Sequence, residues 1–190
     1  MPTIPAYSAT SFRALLLGAV ALLVAGLPGI ATAAIAYTDS QRETIVELIE
    51  QLEERHYAKL IYDDNLSSLH LDNYIESLDG GRMFFTQADL ADFERYRTVM
   101  DEDLHEGNLQ IGFDIFNRFQ QRLQERLGGI VETLDARVAA MDFTVDEAYE
   151  LDGDERPWAA SEEELDDRWR RHLKNQVLSL RLAEKEPEDI

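Results

Sequence analysis

From Leu109 to Val138, apolar side chains recur by threes and fours: Ile115, Phe116, Phe119, Leu123, Leu127, Ile130, Val131, Leu134 and Val138. That period puts them on one face of an α-helix. At 1.5 Å per residue the segment makes a rod about 45 Å long. A rod with one apolar stripe needs other helices laid along it, because it cannot bury that stripe by itself. The expected fold is therefore all-α, an irregular multi-helix domain organised on one long helix. Gly128-Gly129 within the rod costs about 1–2 kcal/mol of helix propensity and marks either a kink or a close helix crossing.

The partner helices can be read from their caps and stripes. Ser40 and Glu43 are spaced as a capping box, opening a helix over about 41–60 with Ile45, Leu48, Ile49, Leu52 and His56 on its inner face. Asp63-Asp64-Asn65 caps a second, which buries Leu66, Leu69, Tyr74, Ile75 and Leu78 and stops at Asp79-Gly80-Gly81. Thr86 to Asp89 starts a third, continuing through Leu90, Phe93, Val99 or Met100 and Leu104 to Gly107-Asn108. Periodicity then fails between Met141 and Trp158. This stretch reads as an irregular loop, with room for short strands, packed on Phe143, Tyr149 and Trp158. Ser161 and Glu164 form another capping box, before a final helix with Leu165, Trp169, Leu173, Val177 and Leu180 inward, ending near Lys185-Glu186-Pro187.

Residues 1–36 are of a different kind. One charge, Arg13, precedes an apolar run from Ala14 to Leu27; Pro28-Gly29 and two A-x-A sites follow. The order is that of a secretory signal peptide over residues 1–33, with cleavage after Ala33 or alternatively after Ala36. An uncleaved membrane anchor is the competing reading, weakened by the break at Pro28-Gly29. A cleaved signal implies export from the cytoplasm. Residues 37–190 are then the mature helical domain.

Charge narrows the partners. Acids outnumber Lys and Arg by 38 to 18, a net charge of −20 that becomes −21 once Arg13 is removed. No nucleic acid is expected, since phosphate binding needs a basic surface, and anionic membrane surfaces are disfavoured likewise. With no cysteine in the chain, disulfides, thiolate metal sites and cysteine nucleophiles are excluded.

Chemistry-bearing motifs are absent from the sequence. His56, His70, His105 and His172 lie far apart, without the short pairs of zinc sites. Asp101-Glu102-Asp103 and Asp166-Asp167 suit solvated faces in so acidic a chain. There is no G-x-S-x-G elbow, phosphate loop or dinucleotide fingerprint. No catalytic residue, cofactor-binding residue or metal ligand is assigned, and no cofactor or small-molecule ligand is expected.

Four segments resemble the N-terminal domain of bacterial tail-specific, or carboxy-terminal processing, serine proteases. They are His56-Tyr57 with the helix through Tyr74-Ile75-Glu76-Ser77-Leu78-Asp79; Met83-Phe84-Phe85-Thr86-Gln87-Ala88-Asp89-Leu90; Met141-Asp142-Phe143-Thr144; and the stretch from Pro157-Trp158 through Glu164-Leu165-Asp166-Asp167-Arg168-Trp169 to Lys174-Asn175-Gln176-Val177-Leu178-Ser179-Leu180-Arg181-Leu182. Asp79-Gly80-Gly81-Arg82 departs from the family's usual turn before the Phe-Phe pair. The resemblance implies a serine endopeptidase that recognises nonpolar C-terminal tails, cuts with a Ser/Lys pair and grips substrate with a PDZ domain. Both the PDZ and protease domains are expected downstream of Ile190, so no catalytic residue transfers to this chain. Lys59, Lys174 and Lys185 fall in charged segments that suit solvated ammonium groups. The implied partners are the downstream PDZ and protease domain, protein substrates with nonpolar C termini, and a periplasmic adaptor protein docking on the helical surface. A stand-alone periplasmic binding or adaptor protein is the alternative.

Overall fold

The computed structural model describes residues 34–56, 61–153 and 156–183; the signal-like segment 1–33, Lys59 and Lys185 lie outside them. Six α-helices are seen among these residues: α1 (Asp39–Arg55), α2 (Asp64–Asp79), α3 (Gln87–Phe93), α4 (Met100–His105), α5 (Gln110–Ala139) and α6 (Glu162–Ala183). The only extended pairing in the described chain is an isolated parallel bridge between Thr86 and Ala159. The protein is all-α, as the periodicity requires.

α5 matches its expected span to within a residue. Its unsatisfied first amide, on Gln110, is met by Asn108 Oδ1 at 3.0 Å. Gly128 and Gly129 do not sit at a close crossing, because a Cβ at either position meets nothing within 4 Å. They are exposed residues of a continuous helix.

α1 starts two residues before the Ser40 cap. Thr38 accepts from the Gln41 amide and Gln41 reaches back to the Thr38 amide at 2.9 Å, an equivalent box one half-turn earlier. The earlier start brings Tyr37 against Phe113, with ring centroids 5.7 Å apart. The helix also ends early, with His56 as its extended C-cap rather than a stripe residue. On α2, Asp63 caps as expected, accepting from the Asn65 and Leu66 amides.

The expected third helix is broken. α3 passes into a 3₁₀ turn at Glu94–Tyr96, and α4 begins afresh at Met100. Ser67, wholly buried on α2, explains the break: its hydroxyl donates to Arg97 O at 2.9 Å and accepts from Met100 N at 3.2 Å. A side chain from another helix thus satisfies backbone groups that a continuous helix would have paired internally. Arg97 holds the same bend, bridging Asp72, Glu94 and Ser68. Of the two alternatives at the bend, Met100 is buried and Val99 exposed.

One apolar cluster joins Leu71 and Ile75 of α2, Phe85, Phe93, Met100, and Ile111 and Ile115 of α5. A smaller one joins Ile49 of α1, Tyr62 and Leu104 of α4. Leu48 and Leu69, expected inside, are each 54% exposed. Both belong to helices whose stripes are narrower than their apolar residues allow. Gly107 is irreplaceable where α4 turns toward α5. Its φ is +74°, and an added Cβ would lie 2.7 Å from Arg42 Cγ of α1.

Candidate functional site

Two places concentrate polar groups and packing. The first is the corner between α2 and α3, where two buried aspartates organise the turn. Asp79 Oδ1 accepts from Met83 N at 2.8 Å, and its Oδ2 accepts from Phe84 N at 2.9 Å and Phe85 N at 2.8 Å. Arg82 takes a left-handed backbone, φ +50°, to bring those amides round. Asp89 completes a capping box with Thr86 at the expected helix start and also accepts from Arg118 Nη1 at 2.7 Å and Arg122 Nη2 at 3.0 Å on α5.

Their electrostatics diverge. Burial pushes the Asp79 carboxyl up, against the opposing pull of its three amides. Burial works on Asp89 in the same direction, but Arg122, the Thr86 amide and Arg118 outweigh it and hold that carboxyl below the usual range.

The far end of the chain closes the corner. Trp169 Nε1 donates to Met83 O at 2.7 Å and Arg168 Nη1 to Arg82 O at 2.6 Å. Gln87 N donates to Ala159 O at 2.8 Å. Phe85, fully buried, meets Phe93, Phe119 and Trp158 at centroid distances of 5.4, 5.8 and 6.4 Å. The loop aromatics serve as anchors, as expected. Tyr149 donates to or accepts from His172 Nδ1 at 2.7 Å, and the Arg82 guanidinium lies 5.1 Å from the Trp158 ring centroid. The polar side chains of this corner hold backbone in place rather than facing an open cleft.

The second place is a groove of about 350 Å³ among α1, α2, α4 and the start of α5. Ile45, Met100, Leu104, Leu109, Phe113 and Phe116 supply its apolar lining, while His70, Asp103 and Asn108 supply its polar edge. Phe116 is thus a half-buried groove wall rather than a core side chain. Tyr74 lines it too, with its hydroxyl donating to Gly112 O at 3.0 Å. Tyr62 contacts His70 Nδ1 through its hydroxyl at 2.5 Å. Desolvation pushes the Tyr62 phenol up to about 12 and His70 below the usual histidine range.

Residues 48–190 match the family model described as the tail specific protease N-terminal domain. The chain belongs to that family. A tail-specific protease of Haemophilus influenzae (strain ATCC 51907 / DSM 11121 / KW20 / Rd) is 29% identical over 141 residues, which are 74% of this chain and 20% of that protein. The chain therefore spans about a fifth of the length of the curated relative it matches. The matched range takes in all four segments that carry the resemblance, from His56 to Leu182.

Within this tail-specific protease N-terminal domain His70 and His105 both lie against the Tyr62 ring, with centroids 6.0 and 6.4 Å from it. His70 pairs with Tyr62 and His172 with Tyr149; His105 Nε2 meets Glu53 at 3.1 Å, and His56 caps α1. Among the described residues no three His, Asp or Glu side chains converge as a metal-ligand set. Lys174 is occupied by Glu147, whose carboxyl is drawn down to about 2 by Arg170 first and Lys174 second. Asp166 and Asp167 pair with Arg126, Arg170 and Arg171 along α5 and α6. No described helix is long and apolar enough to cross a membrane.

The sequence reading missed both places. Asp79 looks like a helix stop, and nothing local reveals that its carboxylate faces three amides. A signal for the groove does exist: Gly112 stands in the apolar face of α5, between Ile111 and Phe113, where a helix gains nothing from glycine unless something must approach.

Proposed function

We propose that this chain is the helical N-terminal region of a periplasmic serine endopeptidase that processes or degrades proteins from nonpolar C-terminal tails, serving as scaffold and adaptor-docking surface. The observation that carries the reading is the family match over residues 48–190. The chemistry belongs to PDZ and protease parts encoded with it: a Ser/Lys pair needs a desolvated lysine and oxyanion donors, whereas Lys174 here is held in an ion pair. Residues 1–33 act as a cleaved signal peptide, which accounts for their single charge and apolar run.

Two measurements test this. Protein expressed from the complete coding frame should cleave a peptide with a nonpolar C terminus, while the 190-residue chain alone leaves it intact. Cleavage by the chain alone, abolished by replacing one of its own serines or lysines, would refute the division of labour. Intact mass of the exported protein should begin at Ala34 or Tyr37; full-length protein retained in membranes after alkaline wash contradicts the periplasmic reading.

A further inference from the structure

We propose that His105 is a proton-held latch: protonated, it ties the C-terminal half of α1 to α4, and loss of its proton as pH rises frees that half of α1 and uncovers Leu104 in the groove wall. Both ring nitrogens of His105 face acceptors. Nδ1 lies 2.6 Å from the Asp101 carbonyl oxygen, and Nε2 lies 3.1 Å from Glu53 Oε1. A carbonyl oxygen and an ionised carboxylate have no proton to give, so each nitrogen must carry its own, and a ring with two N–H groups is an imidazolium. Glu53 is ionised at neutral pH: the Tyr62 amide at 3.0 Å, and then His105, hold its carboxyl below the usual range. Asp101 Oδ1 is buried with no hydrogen-bond donor among the described residues, and the imidazolium balances its charge. A neutral ring would keep its one proton for a single acceptor, aim a lone pair at the other, and leave that buried oxygen without the balancing charge.

The groups around the latch keep their protons fixed while it titrates. Glu53 acts on His105 from α1 and Asp101 from its own helix; the Tyr62 ring lies beside it, with His70 of α2 beyond. The Tyr62 phenol, pushed up to about 12 by burial, keeps its proton and donates it to His70 Nδ1, and desolvation holds His70 neutral. The latch itself works in the opposite sense, its pKa raised first by the Asp101 carbonyl and then by Glu53. It is closed below about pH 6.5 and opens as pH rises through the higher folded value. A weak bond is enough to decide where this part of α1 lies. Of the described residues of α1 only Ile49 is buried, in one cluster with Tyr62 and Leu104. The N-terminal half has its own ties, with Arg42 Nη2 donating to Glu106 O at 3.2 Å and Tyr37 packed on Phe113. Segments so lightly held open locally at a small fraction of the global stability, so the release leaves the rest of the domain folded.

Nitrogen NMR of the 190-residue chain reads the proton directly. At neutral pH both His105 ring nitrogens should carry hydrogen and titrate above the ordinary histidine value of about 6.5, while His70 shows a bare Nδ1. The position of α1 is read by a nitroxide pair on Gln51→Cys of α1 and Asn73→Cys of α2, in a chain with no cysteine of its own. Expected is one narrow distance distribution below the His105 titration and a longer or broader one above it. Glu53→Gln should remove that pH dependence, because its amide can accept from the Tyr62 amide and donate to a neutral imidazole, and should lower the His105 titration point. A His105 that titrates at or below the ordinary value, distances unchanged across the titration, or a pH dependence that survives Glu53→Gln each overturns the proposal. If the labelled pair disturbs the fold, amide exchange of residues 49–55 in the unmodified chain decides: exchange faster than the intrinsic rise with pH is expected, and the intrinsic rise alone overturns it. No proteolysis is measured, so this outcome and that of the protease reading are independent.

Discussion

The corner around Asp79 and Asp89 and the groove beside α1 are built from similar residues to opposite ends. In the corner, aromatic rings pack on one another and both buried carboxylates are spent on backbone amides and guanidiniums. Around the groove, buried Met100 and Ile111 of the large cluster and Leu104 of the small one form part of the wall, and apolar side chains are left open to solvent. Closure comes from distance along the chain. Residues 157–169 return to seal the corner, whereas the described segments around the groove all come from the first two-thirds of the chain and leave it unroofed. Both places meet the first half of α5, the groove at Ile111, Gly112, Phe113 and Phe116 and the corner at Arg118, Phe119 and Arg122.

Phe85→Ala tests this most severely. A fully buried ring with three aromatic neighbours should cost about 3–5 kcal/mol, a large share of a typical 5–15 kcal/mol stability. A urea midpoint within error of wild type would mean the corner is not the keystone. Asp89→Asn comes next, at about 3 kcal/mol, since two guanidiniums lose their carboxylate although both remain partly in water. The pH dependence has a definite sign. Asp89 is held below its unfolded pKa, so its contribution is present above about pH 3.9 and is lost as pH falls through the lower folded value. The gap between wild type and variant should therefore hold steady from neutral pH and close only in strong acid. A gap that closes near pH 6 would assign the effect to another group.

Phe116→Ala should cost less, about 1–2 kcal/mol, because that ring is only partly buried on the groove wall. A loss equal to that of Phe85→Ala would erase the contrast between the regions. The smallest effect belongs to His105, which clamps α4 to α1 through Glu53. Its hydrogen bond to the Asp101 carbonyl, opposed by partial burial and aided by Glu53, raises its pKa. The clamp's contribution is complete below about pH 6.5 and is lost as pH rises through the higher folded value. His105→Gln should flatten a slight fall in thermal midpoint across that range; an unchanged slope would remove His105 from the account.

How far such contrasts can be read in sequence depends on where the stabilising partner lies. The span of α5, the Asp63 cap and the helix start at Thr86–Asp89 are local patterns, and each was legible because its partners sit within one turn of chain. The break between α3 and α4 was not, since it depends on the Ser67 hydroxyl some thirty residues earlier. Leu48 and Leu69 carry the right period and still face water, because periodicity gives the face of a helix but not the width of the surface that covers it. Gly128-Gly129 advertised a crossing that another helix would have had to supply.

The hydrogen bonds from Arg168 and Trp169 to the carbonyls of Arg82 and Met83 join positions 86 residues apart. During synthesis the turn is therefore made well before the side chains that lock it exist. At about 5–20 residues per second, the interval is on the order of ten seconds, long on the scale of helix formation and collapse. Over that time Phe84 and Phe85 belong to a half-finished chain whose aromatic partner Trp158 has not been added. Wherever the chain folds, the apolar corner stays open until α6 reaches back across those 86 residues to the turn.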